Sequence, residues 1–325
     1  MKKLHISKIF SNLGVKINKL FNLVMCTLYT KFVNFLEICK HFSKDLVTDA
    51  GNVRRRGPVP RFSDLEVIAL GMAAEAEEID SENWLFEAKL KECRHLIPNL
   101  ISRRQFNNRR KSVCNLQEQI RSRMANRIDG GEDYFCIDSK PIEVCRVARG
   151  KRCKMGRYGN FSVASDFGYC ASQGSYFYGY KLHALCGLNG VIHSYDLSKA
   201  SVHDINYLKD IKPLYHDCSI FGDKGYIGAE VQLDLFETAN IRLECPYRLN
   251  QKNWKPTFVP FAKARKRVET LFSQLTDQFL VIRNYAKQTC GLFARIIGKI
   301  SALTALQYIN FINDKPIGRI KYALI

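Results

Sequence analysis

Three carboxylates stand out in this sequence for where they fall. Asp138 closes the short apolar run Tyr134-Phe135-Cys136-Ile137, and Asp223 follows a second, Cys218-Ser219-Ile220-Phe221, within Phe221-Gly222-Asp223-Lys224-Gly225-Tyr226. Both runs are β-prone, so both acids are expected to project from strand ends. In open sheets ligands collect in the crevice beyond the strand ends, and Gly222 and Gly225 let the backbone approach a bulky anion. Glu269 supplies a third acid from a helix, read from Val268, Leu271, Phe272 and Leu275 at steps of three and four. Arg265 shares its face and either pairs with it or grips a phosphate. Three oxygen ligands suit Mg²⁺ or Mn²⁺. Two such ions about 3.5–4 Å apart would activate a water or 3′-hydroxyl on one side and stabilise the leaving oxygen on the other, which is phosphodiester hydrolysis and strand transfer in one site. Taken singly, each acid reads as a surface charge, an ion-pair member or a turn residue. The ordered set carries the argument.

Other residues border these acids. Lys140, Lys181 and Lys224 either hold phosphates or are solvated. His183, His203 and Asp204 read as a polar tie between a hairpin and a helix, with metal ligation as the alternative. Trp254 is a core or lid aromatic, or else stacks on an unpaired base.

The elements that must position these residues can be read along the chain. From Asp129-Gly130-Gly131 onward the pattern is short strands and alternating helices. Strands are expected at Tyr134–Ile137, continuing extended through Val144, then at Tyr176–Cys186 and Val191–Leu197, joined by Leu188-Asn189-Gly190 as a hairpin. Residues 149–174, rich in Gly, Ser, Arg and Lys, read as a flexible basic loop. Helix 202–210, strand 218–221, helix 229–238, strand 241–244 and helices 261–279 and 292–311 complete an α/β fold, a mixed five-stranded sheet covered by helices on both faces.

The residues before it are helical. Phe21, Val24, Leu28, Phe32, Phe35, Ile38 and Cys39 mark one face of an amphipathic helix packed on its own protein, and Gly51–Pro60 is a linker with three exposed arginines. Ser63 with Glu66, and Ser102 with Gln105, have capping-box spacing. A helix after Asp80 or Ser81 offers Trp84, Leu85 and Leu90 to the core. The helix from Ser102 turns Phe106, Val113, Leu116 and Ile120 inward. Outward it carries Arg103, Arg104, Arg109, Arg110 and Lys111 for phosphates and Gln105, Asn107 and Asn108 for base edges, as in a helix-turn-helix. Three parts follow: 1–60 as a helical segment and basic linker, 61–128 as a DNA-binding domain, and 129–325 as the catalytic domain.

Charge agrees with a nucleic-acid partner. The 325 residues carry 50 Lys and Arg against 31 Asp and Glu, a formal charge of +19. The excess is spread over both halves, 23 basic to 13 acidic in 1–128 and 27 to 18 beyond, so both are expected to touch the polyanion. The twelve cysteines contain no Cys-x-x-Cys pair, which argues against a zinc module. With no small-residue cleavage site near the N-terminus, reduced thiols in a cytoplasm are expected. The run Leu20–Leu36 is too short and polar to span a bilayer, so no membrane partner is expected.

Several blocks resemble a known group. Ile137-Asp138-Ser139-Lys140-Pro141-Ile142, Tyr180-Lys181-Leu182-His183, Phe221-Gly222-Asp223-Lys224-Gly225-Tyr226 and Arg267 to Leu275 resemble those of bacterial DDE transposases, particularly insertion-sequence family 982, over about residues 28–312. The resemblance implies an RNase H-like core, Mg²⁺ or Mn²⁺ dependence, and Asp138, Asp223 and Glu269 as the metal-binding triad. It also implies double-stranded DNA as partner, both terminal inverted repeats and target. A homodimer on DNA is expected because two ends must be joined. Related families carry a Tyr, an Arg and a Lys around the third acid; here Arg265 matches, while Ala262 and Thr276 occupy the other places. Two alternatives stay open: a catalytically silent sequence-specific DNA-binding relic, and a nuclease without strand transfer.

Overall fold

The computed structural model describes residues 27–155, 164–247, 259–283 and 285–324. The expectations placed on Phe21, Val24 and Trp254 lie outside the described residues.

Among the described residues, five α-helices come first. α1 (Thr27–Phe42) buries Leu28, Phe32, Phe35 and Cys39 and packs along α2 (Asp64–Ala76). α2 begins with a complete capping box. The Ser63 hydroxyl accepts from Glu66 N–H at 3.2 Å, and the Glu66 carboxylate accepts from Ser63 N–H at 2.6 Å. The linker before it is pinned by the buried Asp64, which accepts from Val53 N–H and pairs with Arg55 and Arg109. α3 (Glu82–Glu87), capped by Ser81, buries Leu85, and Leu90 is buried beyond it. Trp84 was expected in the core but is 56% exposed, because one helical step turns it about 100° from Leu85.

α4 (Arg103–Ser112) carries the second capping box and is followed by α5 (Cys114–Asp129). A single helix through Ile120 was expected. It breaks at Val113, where the Ser112 hydroxyl donates back to the Arg109 carbonyl and Val113 leaves helical geometry. Residues 88–102, between α3 and α4, hold two single 3₁₀ turns, Lys89–Lys91 and Arg94–Leu96. That connection is far longer than the three- to four-residue turn of a helix-turn-helix.

The sheet is built from β1 (Tyr134–Cys145), β2 (Asp166–Cys170), β3 (Ser175–Gly187), β4 (Ile192–Lys199), β5 (Ser219–Phe221) and β6 (Arg242–Glu244), in the order β2-β3-β1-β5-β6 with β4 also on β3. β3 pairs antiparallel with β1, β2 and β4, whereas β5 runs parallel to β1 and β6 to β5. Flanked by helices, this mixed sheet is compatible with an RNase H-like core. Among the described residues it has six strands rather than five, because residues 166–170, expected within a loop, pair with β3 from Asp166↔Gly179 to Cys170↔Ser175. Their period of two, with Phe167 and Tyr169 exposed and Gly168 and Cys170 buried, is the strand signal. At the β3–β4 hairpin Gly190 N–H donates to the Gly187 carbonyl, and in the loop Gly190 alone takes a positive φ, 79°. The connection is therefore a three-residue loop closed by a left-handed glycine, not a two-residue Asn-Gly turn.

After β4, a 3₁₀ turn at Asp204–Tyr207 runs into α6 (Leu208–Ile211). α7 (Ala229–Ala239), α8 (Val259–Asp277), α9 (Thr289–Ile312) and α10 (Lys321–Leu324) follow. The sheet separates two apolar cores. One face buries Phe135, Ile137, Ile220 and Tyr226 with Leu235 of α7. The other buries Cys136, Ala184 and Phe221 with Val268, Leu271 and Leu275 of α8, and continues unbroken into the N-terminal helices. α9 makes that join by packing on α2, α4 and α5. It is long and apolar enough to cross a membrane by length and composition, but 72% of the apolar stretch is buried inside the protein. Packing therefore does not pause at residue 129, and the last long helix sits with the helical part rather than on the sheet.

Candidate active site

Strand register brings the first two acids together. β1 and β5 are paired from Tyr134↔Ser219 to Cys136↔Phe221. Asp138 and Asp223 each lie two residues past that last pair, so alternation places both on the face of Cys136 and Phe221, the face α8 covers. There the strands part: β1 continues alongside β3, with Asp138 opposite Ala184, while Gly222 and Asp223 turn β5 into the single 3₁₀ turn Lys224–Tyr226. Pro141 is tolerated in β1 because this stretch is no longer paired on its β5 side. The result is a crevice at the point where the strand order reverses direction.

The electrostatics of the crevice are unbalanced. Burial pushes the Asp138 carboxyl up to about 6. Asp223 and Asp204 push the same way, while Ser139 N–H, donating to Asp138 Oδ1 at 2.8 Å, and the Arg265 guanidinium pull it back. Asp223 Oδ1 accepts from Gly225 N–H at 2.7 Å. A Cβ on Gly225 would meet Asp223 Oδ1 at 2.9 Å and Asp204 Oδ2 at 3.4 Å, so these two carboxylates crowd the same spot and an added methyl would have to push the Asp223 carboxylate aside.

Glu269 is placed differently. α8 packs on β1 and β5, but the Glu269 side chain is 60% exposed and bonded by Arg265 Nη2 at 3.4 Å. The pairing alternative for Arg265 is the arrangement seen, with that guanidinium also within electrostatic reach of Asp138. Among the described residues no three His, Cys, Asp or Glu side chains are drawn together as a ready metal cage. Asp138 and Asp223 fit a hard divalent cation by donor type, adjacency and unmet negative charge. Glu269, held by the Arg265 guanidinium, is not gathered with them in this arrangement.

Sequence reasoning reached the layer behind these acids only in part. Asp204 Oδ1 accepts from Ser139 Oγ at 2.9 Å and from Lys181 Nζ at 3.1 Å, and Lys181 also donates to the Val202 carbonyl. This is the hairpin-to-helix tie expected of Asp204, and it commits Lys181 to the tie. Ser139 and Tyr226 had no assigned role, although both lie in blocks quoted for the acids. His183 is buried, bonded through Nε2 to Ser198 Oγ at 2.7 Å and stacked on Tyr207, and burial lowers it to about 4. His203 is exposed. Lys140 is half-buried and Lys224 exposed, and neither forms a salt bridge among the described residues.

The basic helix divides into two sets. Arg103, Arg104, Gln105 and Asn108 are exposed, and Lys111 partly so. Arg103 and Lys111 line an open cleft of about 380 Å³ together with Lys287 and Arg295. The Gln105 side-chain oxygen serves the cap, accepting from Ser102 N–H, and Asn107 donates to Glu82 at 2.7 Å. Arg109 and Arg110 were expected to face outward, and the structure corrects this. Arg109 bonds Asp64 and the Phe62 carbonyl, and Arg110, one turn from the buried Phe106, pairs with Glu75 at 2.5 Å inside the core.

No curated protein and no solved structure matches the chain. Residues 129–305 do match a family, described as the transposase DDE domain. That span opens at the end of α5, contains all three acids and makes up more than half of the sequence. The family acts on DNA and generally uses divalent metal ions, in keeping with two aspartates set side by side at a strand-end crevice in a cationic protein. The chain belongs to the DDE transposase family.

Proposed function

We propose that this transposase moves an insertion sequence resembling family 982, cutting DNA at the terminal inverted repeats and joining the freed ends to target DNA. The carrying observation is the register of Asp138 and Asp223, two residues past the same paired position on adjacent parallel strands. In this reading Asp138, Asp223 and Glu269 hold a pair of Mg²⁺ or Mn²⁺ ions. Bound there, the ions supply Lewis-acid polarisation of the phosphodiester and charge for the leaving oxygen. The protein's own part is to hold two carboxylates ready on rigid strands and to keep Glu269 in reserve on α8. With Glu269 holding an ion, Arg265 would be free to take a phosphate. Lys140 and Lys224 lie beside the acids and suit the DNA backbone.

DNA recognition falls to the helical residues 61–128, preceded by the segment 1–60 and followed by the catalytic residues 129–325. Arg103, Arg104 and Lys111 suit phosphates, and Asn108 is the amide best placed for a base edge. Joining two ends calls for a homodimer on DNA, working in the cytoplasm on the nucleoid.

The test is incubation of the purified protein with inverted-repeat duplex and Mg²⁺ or Mn²⁺, with gel analysis of nicked and joined products. Asp138→Asn, Asp223→Asn and Glu269→Gln are each expected to lower cleavage on the order of 10³-fold or more while DNA retention persists, since the ions supply several kcal/mol of transition-state stabilisation. Folded variants that cut at the wild-type rate would sink the triad, and products that are cut but never joined would leave a nuclease.

A further inference from the structure

Tyr226 is a polar group in the wrong place for stability alone. Its side chain is 0% exposed and packs in the sheet core opposite α8, beside Gly222 and Ile137 at the parting ends of β5 and β1. Its hydroxyl has no hydrogen-bond partner among the described residues. A buried hydroxyl left unbonded costs about 1–3 kcal/mol, and phenylalanine would fill the same space without it. The carboxylates of Asp204, Asp138 and Asp223 all act on the phenol, which supports its pointing toward the acids from behind. Asp204 shows a matching vacancy. Its Oδ1 is taken by Ser139 and Lys181, while its Oδ2 accepts no hydrogen bond among the described residues and lies at the same Gly225 position that Asp223 Oδ1 approaches.

We infer that Tyr226 and Asp204 are positioning residues of the acidic site, the Tyr226 hydroxyl and Asp204 Oδ2 together holding a water that belongs to the hydration shell of a divalent cation seated by Asp138 and Asp223. Mg²⁺ dehydrates reluctantly and keeps waters that need partners, and an orphaned donor within electrostatic reach of an open acceptor offers such a pair. Asp204 serves the site without being a ligand to the ion, since it approaches from the sheet face opposite α8, where Ser139 also points. This inference rests on the assignment of Asp138 and Asp223 as ligands.

The experiment is a Mn²⁺ titration of the full chain without DNA, following the electron paramagnetic resonance signal of free Mn²⁺, beside thermal melts of the metal-free protein. Tyr226→Phe removes one oxygen. It is expected to melt at or above the wild-type temperature yet raise the Mn²⁺ midpoint about tenfold, the usual scale for partners behind a metal ligand. Asp204→Asn keeps an acceptor for Ser139 and Lys181 and is expected to raise the midpoint similarly. A purely structural tyrosine would move the melt and leave the midpoint alone. If Tyr226→Phe and Asp204→Asn both bind Mn²⁺ as the wild type does while Asp223→Asn abolishes binding, this inference is overturned and the ligand assignment stands. If Asp223→Asn also binds normally, the ligand assignment falls and this inference falls with it.

Discussion

Two of the groups of acids that this protein withdraws from water are treated in opposite ways. Between α2, α4 and α9, Glu75 is fully buried but sits between Arg110 at 2.5 Å and Lys299 at 2.5 Å, while Glu82 lies near Arg110 and Arg295. Burial alone would push Glu75 up, but Lys299 and Arg110 outweigh it and hold the carboxyl below its usual range. At the strand ends, Asp138, Asp204 and Asp223 lie within electrostatic reach of one another with Lys181 committed to Asp204 and Arg265 committed to Glu269, and Asp138 rises to about 6. A cluster that completes its own charge is part of the scaffold. One that leaves charge unmet is waiting for something from outside.

The strongest challenge to that contrast is Glu75→Gln. Removing one charge from a buried network strands its partners, here Lys299 and Arg110, and such losses run to about 3–5 kcal/mol. Urea unfolding is expected to show a drop of that size, with Mn²⁺ binding by the remaining folded protein unchanged. A loss under about 1 kcal/mol would mean that the helical cluster is not the self-sufficient structure its geometry describes.

The same contrast explains what the sequence made legible. Asp138, Asp223 and the strands beneath them could be read because strand ends leave a local signature of apolar run, then acid, then glycine. The long-range joins could not. Phe106, one turn earlier, puts Arg110 on the inward face, but its partners Glu75 and Glu82 are 35 and 28 positions away, and by residue type alone it looks like the exposed Arg104 on the same helix. α9 reads as a closing helix of the catalytic part, yet its apolar residues face α2 and α5, a choice that only tertiary packing makes. β2 was hidden because glycine, serine and lysine around it outweigh five residues of alternation. The turned-out Glu269 was equally invisible, since spacing gives the shared face with Arg265 but not which partner the carboxylate takes.

A second, intermediate effect comes from Asp138→Asn. The folded protein binds a proton at Asp138 more tightly than the unfolded chain does, so between about pH 4 and 6 the folded state holds more protons and stability falls as pH rises. Above that window the penalty is constant. Asn carries no such penalty, so the metal-free variant is expected to be more stable than wild type at pH 8, by about 1–3 kcal/mol, with the advantage gone below pH 4. Mn²⁺ should restore the wild type and not the variant. Equal stability of the two at pH 8 would mean the crevice is not short of positive charge.

The smallest effect comes from one chemical change made in both regions. On α9, a Cβ at Gly298 would lie 2.5 Å from Arg110 Nη2, the far end of a flexible side chain that sits in a closed core. Overpacking there costs about 1–3 kcal/mol, and alanine returns about 1 kcal/mol of helix propensity, so Gly298→Ala is expected to lose roughly 1 kcal/mol of stability and no metal binding. At Gly225 the added methyl would press on Asp223 Oδ1 at 2.9 Å, on a partly open turn where the carboxylate can swing aside into solvent. Gly225→Ala is therefore expected to melt within about 0.5 kcal/mol of wild type, as surface changes do, while weakening Mn²⁺ binding severalfold. Parallel melts and Mn²⁺ titrations of the two alanine variants decide the matter. A shared profile, with both losing stability and neither losing metal, would erase the distinction between the cluster that closes on itself and the one built to be filled.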